Sequence, residues 1–135
     1  MRSTMAAPAA KQGDTVVAVD THVIMIPSPG GPVPTPTPMP FNGMLSGGLA
    51  SSVLIENKPA AVKGSTADNT PAHIPAGGPF QKPPSNQATV KSGSSKVLLE
   101  NKQAARAGDP ATTCNDPQDT PGGTLIAVSK VLLGD

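Results

Sequence analysis

Apolar residues in this chain fall in short runs broken by polar residues, glycine and proline, and none of the runs is spaced like a helix face. Residues 15–19 (TVVAV) and 21–26 (THVIMI) are rich in β-branched side chains and predict two successive strands. Residues 53–56 (VLIE), 97–100 (VLLE), 124–128 (TLIAV) and 131–133 (VLL) read the same way. Asn57-Lys58 predicts a two-residue hairpin turn, with residues 59–62 as the returning strand. Residues 27–40 hold seven prolines and predict a polyproline-like surface loop that cannot pair inside a sheet, followed by a turn at Phe41-Asn42-Gly43. No segment longer than about ten residues has helical periodicity without Pro or Gly. The predicted class is all-β, built of short hairpins with little helix.

One of these stretches is written twice. Residues 53–65 (VLIENKPAAVKGS) recur as residues 97–109 (VLLENKQAARAGD), with eight of the thirteen positions identical. A third copy is split by the termini: residues 129–135 (SKVLLGD) restate its first half and residues 9–14 (AAKQGD) its second. Internal repeats decide architecture before local propensity does. Here they divide a single domain, residues 1–135, into units of about 13–64, 64–108, and 108–135 joined to 1–13. Halves that must meet imply a closed, pseudo-threefold object.

Composition restricts what can hold such an object together. The chain has no Trp, no Tyr and two Phe, against 17 Pro and 14 Gly. Each aromatic side chain buries ~150–250 Å², so the core must be small and aliphatic, and such domains usually need a metal, a partner or oligomerisation as well. The formal net charge is +1 with no basic patch, which argues against nucleic acid and anionic membrane as partners. A single cysteine excludes an intrachain disulfide. The N-terminal residues lack the apolar core of a signal peptide, so the chain is expected to be made in the cytoplasm and to leave, if it does, through a machine that reads no such signal.

The candidate chemistry follows the repeat. His22 lies eight residues after Asp14, His73 eight after the equivalent Ser65, and Cys114 five after the equivalent Asp109. Alone, each would be an ordinary structural or exposed residue. As a set with one member per unit, they would meet at a pseudo-threefold axis, and imidazole with thiolate suits Zn²⁺. A closed structural site takes four ligands, so Asp20, Asn115, Asp116 or a water must complete it. A Cys–His nucleophile pair is the enzymatic alternative; no oxyanion-hole glycine turn adjoins Cys114 and few residues could line a substrate pocket, so no enzyme is expected. Glu56 and Glu100 are read as equivalent solvated strand residues before their turns.

Residues 104–109 (AARAGD), with their relatives at 9–14 and 59–64, resemble the Pro-Ala-Ala-Arg motif of PAAR-repeat proteins. The preceding hairpin and residues 38–42 (PMPFN) are similar to the PAAR-like variety of that fold, and the likeness runs over nearly the whole chain. The resemblance implies a small cone that caps the trimeric VgrG- or gp5-like spike of a contractile injection system, of the type VI secretion, phage-tail or phage-tail-like kind. It implies a non-enzymatic tip that sharpens the spike for membrane puncture, delivered outside the cell or into a target cell. It also implies a structural Zn²⁺ near the cone apex. The family's usual three His and one Cys carry over as His22, His73 and Cys114, with one ligand unmatched. Many such proteins carry a toxin extension; here any effector cargo is expected to be a separate protein. The alternative class is a free metal-binding or adhesive β-domain with a Pro-rich interaction loop.

Overall fold

The computed structural model describes residues 6–134. The outer ends of the split third unit, residues 1–5 and Asp135, lie outside the described residues. Twelve strands follow one another with no helix between them: β1 Ala7–Pro8, β2 Thr15–Ile26, β3 Val33–Gly47, β4 Ala50–Ile55, β5 Lys58–Ala60, β6 Thr66–Asn69, β7 Gln87–Val90, β8 Leu98–Leu99, β9 Lys102–Gln103, β10 Pro110–Thr113, β11 Thr120–Ile126 and β12 Leu132–Leu133. Six of them close a barrel in the order β10-β11-β2-β3-β6-β7, all antiparallel, which leaves the barrel's base without a sheet edge. The other six form three small two-stranded sheets, β4 with β5, β8 with β9, and β12 with β1. The last pair joins the two ends of the chain, with Ala7 opposite Leu133 and Pro8 opposite Leu132.

Threefold equivalence is carried by the backbone. Ala10 N donates to Ala105 O, Ala105 N to Ala61 O, and Ala61 N to Ala10 O, a closed ring of three hydrogen bonds. Around it, antiparallel bridges join Ala9 to Arg106, Lys11 to Ala60, and Val62 to Ala104. Ala10, Ala61 and Ala105 are at most 1% exposed, so the ring is buried and small side chains suit it. Each strand leaves the ring through the same turn: Lys11 N, Val62 N and Arg106 N donate to the side chains of Asp14, Ser65 and Asp109 at 2.9, 2.9 and 2.7 Å. Gly13, Gly64 and Gly108 hold φ of 92°, 94° and 88° in those turns, a region open to glycine. Their amides then reach Leu45, Val90 and Leu125 in the barrel.

Two apolar clusters result. The barrel interior is filled by Val16, Phe41, Leu45, Ala67, Ala88, Val90, Ala111 and Leu125 among others, and a second cluster under the hairpins includes Ile55, Val62, Leu99 and Leu133. The hairpin strands obey the two-residue alternation of a half-buried sheet. Ile55, Leu99 and Leu133 point inward, while Leu54, Leu98 and Leu132 point outward at 61, 58 and 62% exposure.

Several local expectations are corrected. Residues 15–26 form one strand, because Asp20 and His22 are fully inward-facing members of an alternation that also buries Val16 and Ile24. The expected polyproline-like loop is largely strand: β3 starts at Val33, pairs with β2 over twelve residues, and runs straight through the expected turn at residues 41–43. The hairpin turns sit one residue earlier than expected, at Glu56-Asn57 (φ 50° and 69°) and Glu100-Asn101 (φ 51° and 65°). Both glutamates are therefore turn residues, with positive φ at both central positions as a type I′ turn requires. The last long strand, expected over residues 124–128, begins earlier and takes in Pro121-Gly122-Gly123, as β11 runs from Thr120 to Ile126.

The β2–β3 hairpin outruns the barrel. Its upper half, residues 21–26 with 33–38, is held by the segment after His73. Met25 N donates to Pro79 O, and Gln81 N to Val23 O. Gly78 makes this possible, since a Cβ there would stand 2.0 Å from Met25 O.

Candidate metal centre

The upper end of the barrel is capped by polar side chains from three segments. Asp20 and His22 project inward from β2. His73 lies in the loop after β6, and Cys114 follows β10 directly. The loops bring these four together. His73 Nε2 is 2.9 Å from Asp20 Oδ2, Cys114 Sγ is 3.4 Å from the same oxygen, and Cys114 Sγ is 3.5 Å from His22 Nε2. One donor atom from each residue lies within 4.8 Å of all the others. The side chains of Asp20, His22 and His73 are at most 2% exposed, as is Cys114.

A surrounding layer orients this group. Thr113 Oγ1 donates to Asp20 Oδ1 at 2.6 Å, fixing the carboxylate so that Oδ2 faces the cluster. Asn69 Nδ2 lies 3.3 Å from His73 Nδ1, and Asn86 Oδ1 accepts from the His73 amide at 2.8 Å. Asn115 Oδ1 and Asp116 Oδ2 accept from the amides of Thr21 and Val23, which tie the Cys114 loop to β2. Phe80 and Phe41, the two phenylalanines of the chain, stand edge-on to His22 and His73 at 5.9 and 6.2 Å between centroids. Both therefore wall the site.

Burial sets the protonation of two of the candidate donors. Burial holds the His22 imidazole below its ordinary pKa, against the opposing pull of Asp116 and Asp20, so the ring is neutral and its lone pair is free at neutral pH. Burial also pushes the Cys114 thiol up, so a metal entering the site must displace a proton from sulfur.

The donor set fits a tetrahedral ion. Bonds of ~2.0–2.3 Å to N, O and S place neighbouring donors roughly 3.3–3.7 Å apart; here three of the separations are 2.9, 3.4 and 3.5 Å, and all lie within 4.8 Å. His22 Nδ1 supplies a second indication. Among the described residues it is the buried side-chain nitrogen or oxygen atom without a hydrogen-bond partner, and Asp116 Oδ2 stands 3.6 Å from it. A ligating histidine commonly directs its second nitrogen at a carboxylate, and this pair has that arrangement.

The structure thus assembles His22, His73 and Cys114 and, of the candidates to complete the set, joins Asp20 to them, whereas Asn115 and Asp116 serve the layer behind. The signal for Asp20 was present in the sequence as parity. It shares an inward face with Val16, His22 and Ile24, where an unpaired carboxylate would be costly.

The PAAR motif family matches residues 25–116, about two thirds of the chain. The chain belongs to the PAAR motif family. No curated protein is similar to it. Family membership agrees with the all-β fold and supports a spike-tip role in a contractile injection system. PAAR proteins are structural spike-tip components rather than enzymes, and the buried Asp/His/His/Cys group is consistent with their metal binding. Among the described residues of this PAAR chain, no helix is long and apolar enough to cross a membrane.

Proposed function

We propose that this PAAR chain is a non-enzymatic tip that docks by its three hairpins on a trimeric VgrG- or gp5-like spike and holds Zn²⁺ near its apex. On this reading the chain is one domain of three units, about 13–64, 64–108, and 108–135 joined to 1–13. The observation that carries docking is the triad Leu54, Leu98 and Leu132. These are repeat-equivalent apolar side chains, each about three-fifths exposed, one on each hairpin. Isolated exposed leucines need no explanation, but a threefold set on one end offers the same contact to each subunit of a trimer. The hairpins are locked to one another as well. Glu100 accepts from Ser52 N and Oγ, Glu56 accepts from Lys130 N at 2.8 Å, and Ser94 Oγ donates to Gly134 O at 2.7 Å. The triad therefore meets a partner as a rigid face.

The triple variant L54E/L98E/L132E tests this reading. Because all three side chains are exposed, it should fold and melt like the parent, yet bind a purified trimeric VgrG- or gp5-like β-helix at least about 100-fold more weakly, since each leucine contributes up to ~1–2 kcal/mol of apolar burial. Val19→Glu, at a still more exposed barrel position, should leave binding unchanged. Equal binding by the triple variant would remove the hairpin face from the reading. If the parent itself binds metal but no spike, the free metal-binding domain is the better account.

For the metal, Asp20, His22, His73 and Cys114 would be the ligands, and the ion would supply the cross-link that an aromatic-poor core lacks. Its binding would tie β2 to the two loops that carry the other donors. Asp116 would position His22 rather than touch the ion. Asp116→Asn should accordingly weaken zinc affinity by about 10–100-fold in a chelator competition, with one ion still bound at saturation. An unchanged affinity would show that Asp116 does not act on the site. Attachment of separate effectors to the barrel flank completes the proposal, with the particle tip as the chain's working location.

A further inference from the structure

The upper half of the β2–β3 hairpin stands clear of the barrel and has two free edges to manage. On the β2 side each outward amide has a dedicated acceptor: Thr21 N meets Asn115 Oδ1, Val23 N meets Asp116 Oδ2, and Met25 N meets Pro79 O. On the β3 side, among the described residues, no strand pairs with β3 above residue 43, and the loop after β6 lies beside Met39 and Pro40 only. Direction along that strand is fixed by Asn42, whose N donates to Asn69 Oδ1 and whose O accepts from Thr70 N, both away from β2. In a strand, alternate residues turn their N–H to the same side. The next outward positions toward the tip are therefore residues 40, 38, 36 and 34, and all four are proline. Their register opposite Val19, Thr21, Val23 and Met25 is unbroken, and Thr35, Thr37 and Met39 keep the donors that the ladder to β2 needs. The free edge thus offers carbonyls and no N–H over four successive outward positions.

We propose that this proline edge closes the hairpin to strand addition by a second copy of the same chain. An incoming antiparallel strand could donate to the edge carbonyls but would find no donors for its own, leaving a one-sided ladder; native proteins place proline on edges against this kind of association. The need is evident from the rest of the hairpin. It is long, regular and carries no charged side chain above Asp20, which are the properties of an aggregation-prone edge. The inference stands on register alone and is independent of metal and spike.

The test is P34T/P36T/P38T in the full chain, which restores three outward donors with a residue already used at positions 35 and 37. In sedimentation velocity across a concentration series, the parent should remain a monomer while the variant forms dimers and larger species. Exchange of the new amides at 34, 36 and 38 should be fast in dilute monomer and slow at least tenfold on association. A folded variant that stays monomeric over the same range, with those amides unprotected, would overturn the proposal. Should the triple variant lose its dispersed amide spectrum, P34T/P36T, confined to the end farthest from the barrel, decides by the same two readouts. Association with protected amides supports the block, and monomer with unprotected amides refutes it.

Discussion

Alanine at His22 or Cys114 should abolish stable zinc binding and lower the melting temperature of the zinc-loaded chain by about 10 °C or more. The size follows from linkage: an ion present at 100 times its dissociation constant adds ~2.7 kcal/mol to the folded state, and ~1 kcal/mol moves the melting point of a domain this small by several degrees. The four donors come from β2 and two separate loops, so loss of one ligand loosens three segments together. Native mass spectrometry before and after chelation, alongside melting curves, reads both effects. One ion per chain in the parent and none in either variant is the expected result. Affinity should also fall as pH is lowered, because zinc must displace the proton that burial holds on Cys114. A parent chain that carries no ion and melts at the same temperature with and without chelator would eliminate the metal.

Phe41→Ala should cost about 3–5 kcal/mol in the metal-free chain, as deletion of a fully buried phenylalanine does elsewhere. That is a large share of the 5–15 kcal/mol that ordinarily separates folded from unfolded states. Phe41 is 1% exposed and is the largest fully buried side chain, in a barrel otherwise lined by valine, leucine and alanine that cannot expand to fill its volume. Its ring also stands under His73, so the same substitution should weaken zinc binding in the surviving folded fraction. Denaturant unfolding of chelated protein measures the first effect. A loss below about 1 kcal/mol would mean that the barrel collapses around the missing ring. Phe80→Ala, at a half-buried position on the outer side of His22, should cost clearly less.

The duplicated VLxENK stretch and its divided third copy revealed closure and all-β class, because a repeat survives ignorance of local detail. The three residues His22, His73 and Cys114 were legible for the same reason, each lying a few residues beyond an equivalent turn. What local propensity could not resolve was the strand through residues 33–47. Four prolines forbid a central strand, yet they are compatible with an edge when every one falls on the outward parity, and that parity is visible only once Asn42 has been seen to face Asn69. Asp20 stood among several candidates for the fourth position, and a related ambiguity kept it from being singled out, since a carboxylate between two β-favouring runs reads as a break until the runs are known to be continuous. The early turns at Glu56 and Glu100 were missed because glutamate is an uncommon occupant of positive φ, and its side chain is retained there to hold the neighbouring hairpin.

The pairing of Ala7–Pro8 with Leu132–Leu133 sets a timetable for biosynthesis. Residues 9–12 are bonded to residues 59–61, 105–106 and 131, and the hairpin beside them waits for β12, so this segment must wait for segments made much later. No single unit can bury its apolar face while the rest is still being translated. The nascent chain therefore emerges with its ring open, and closure is a late, non-local event of the kind that makes β-rich topologies slow to fold.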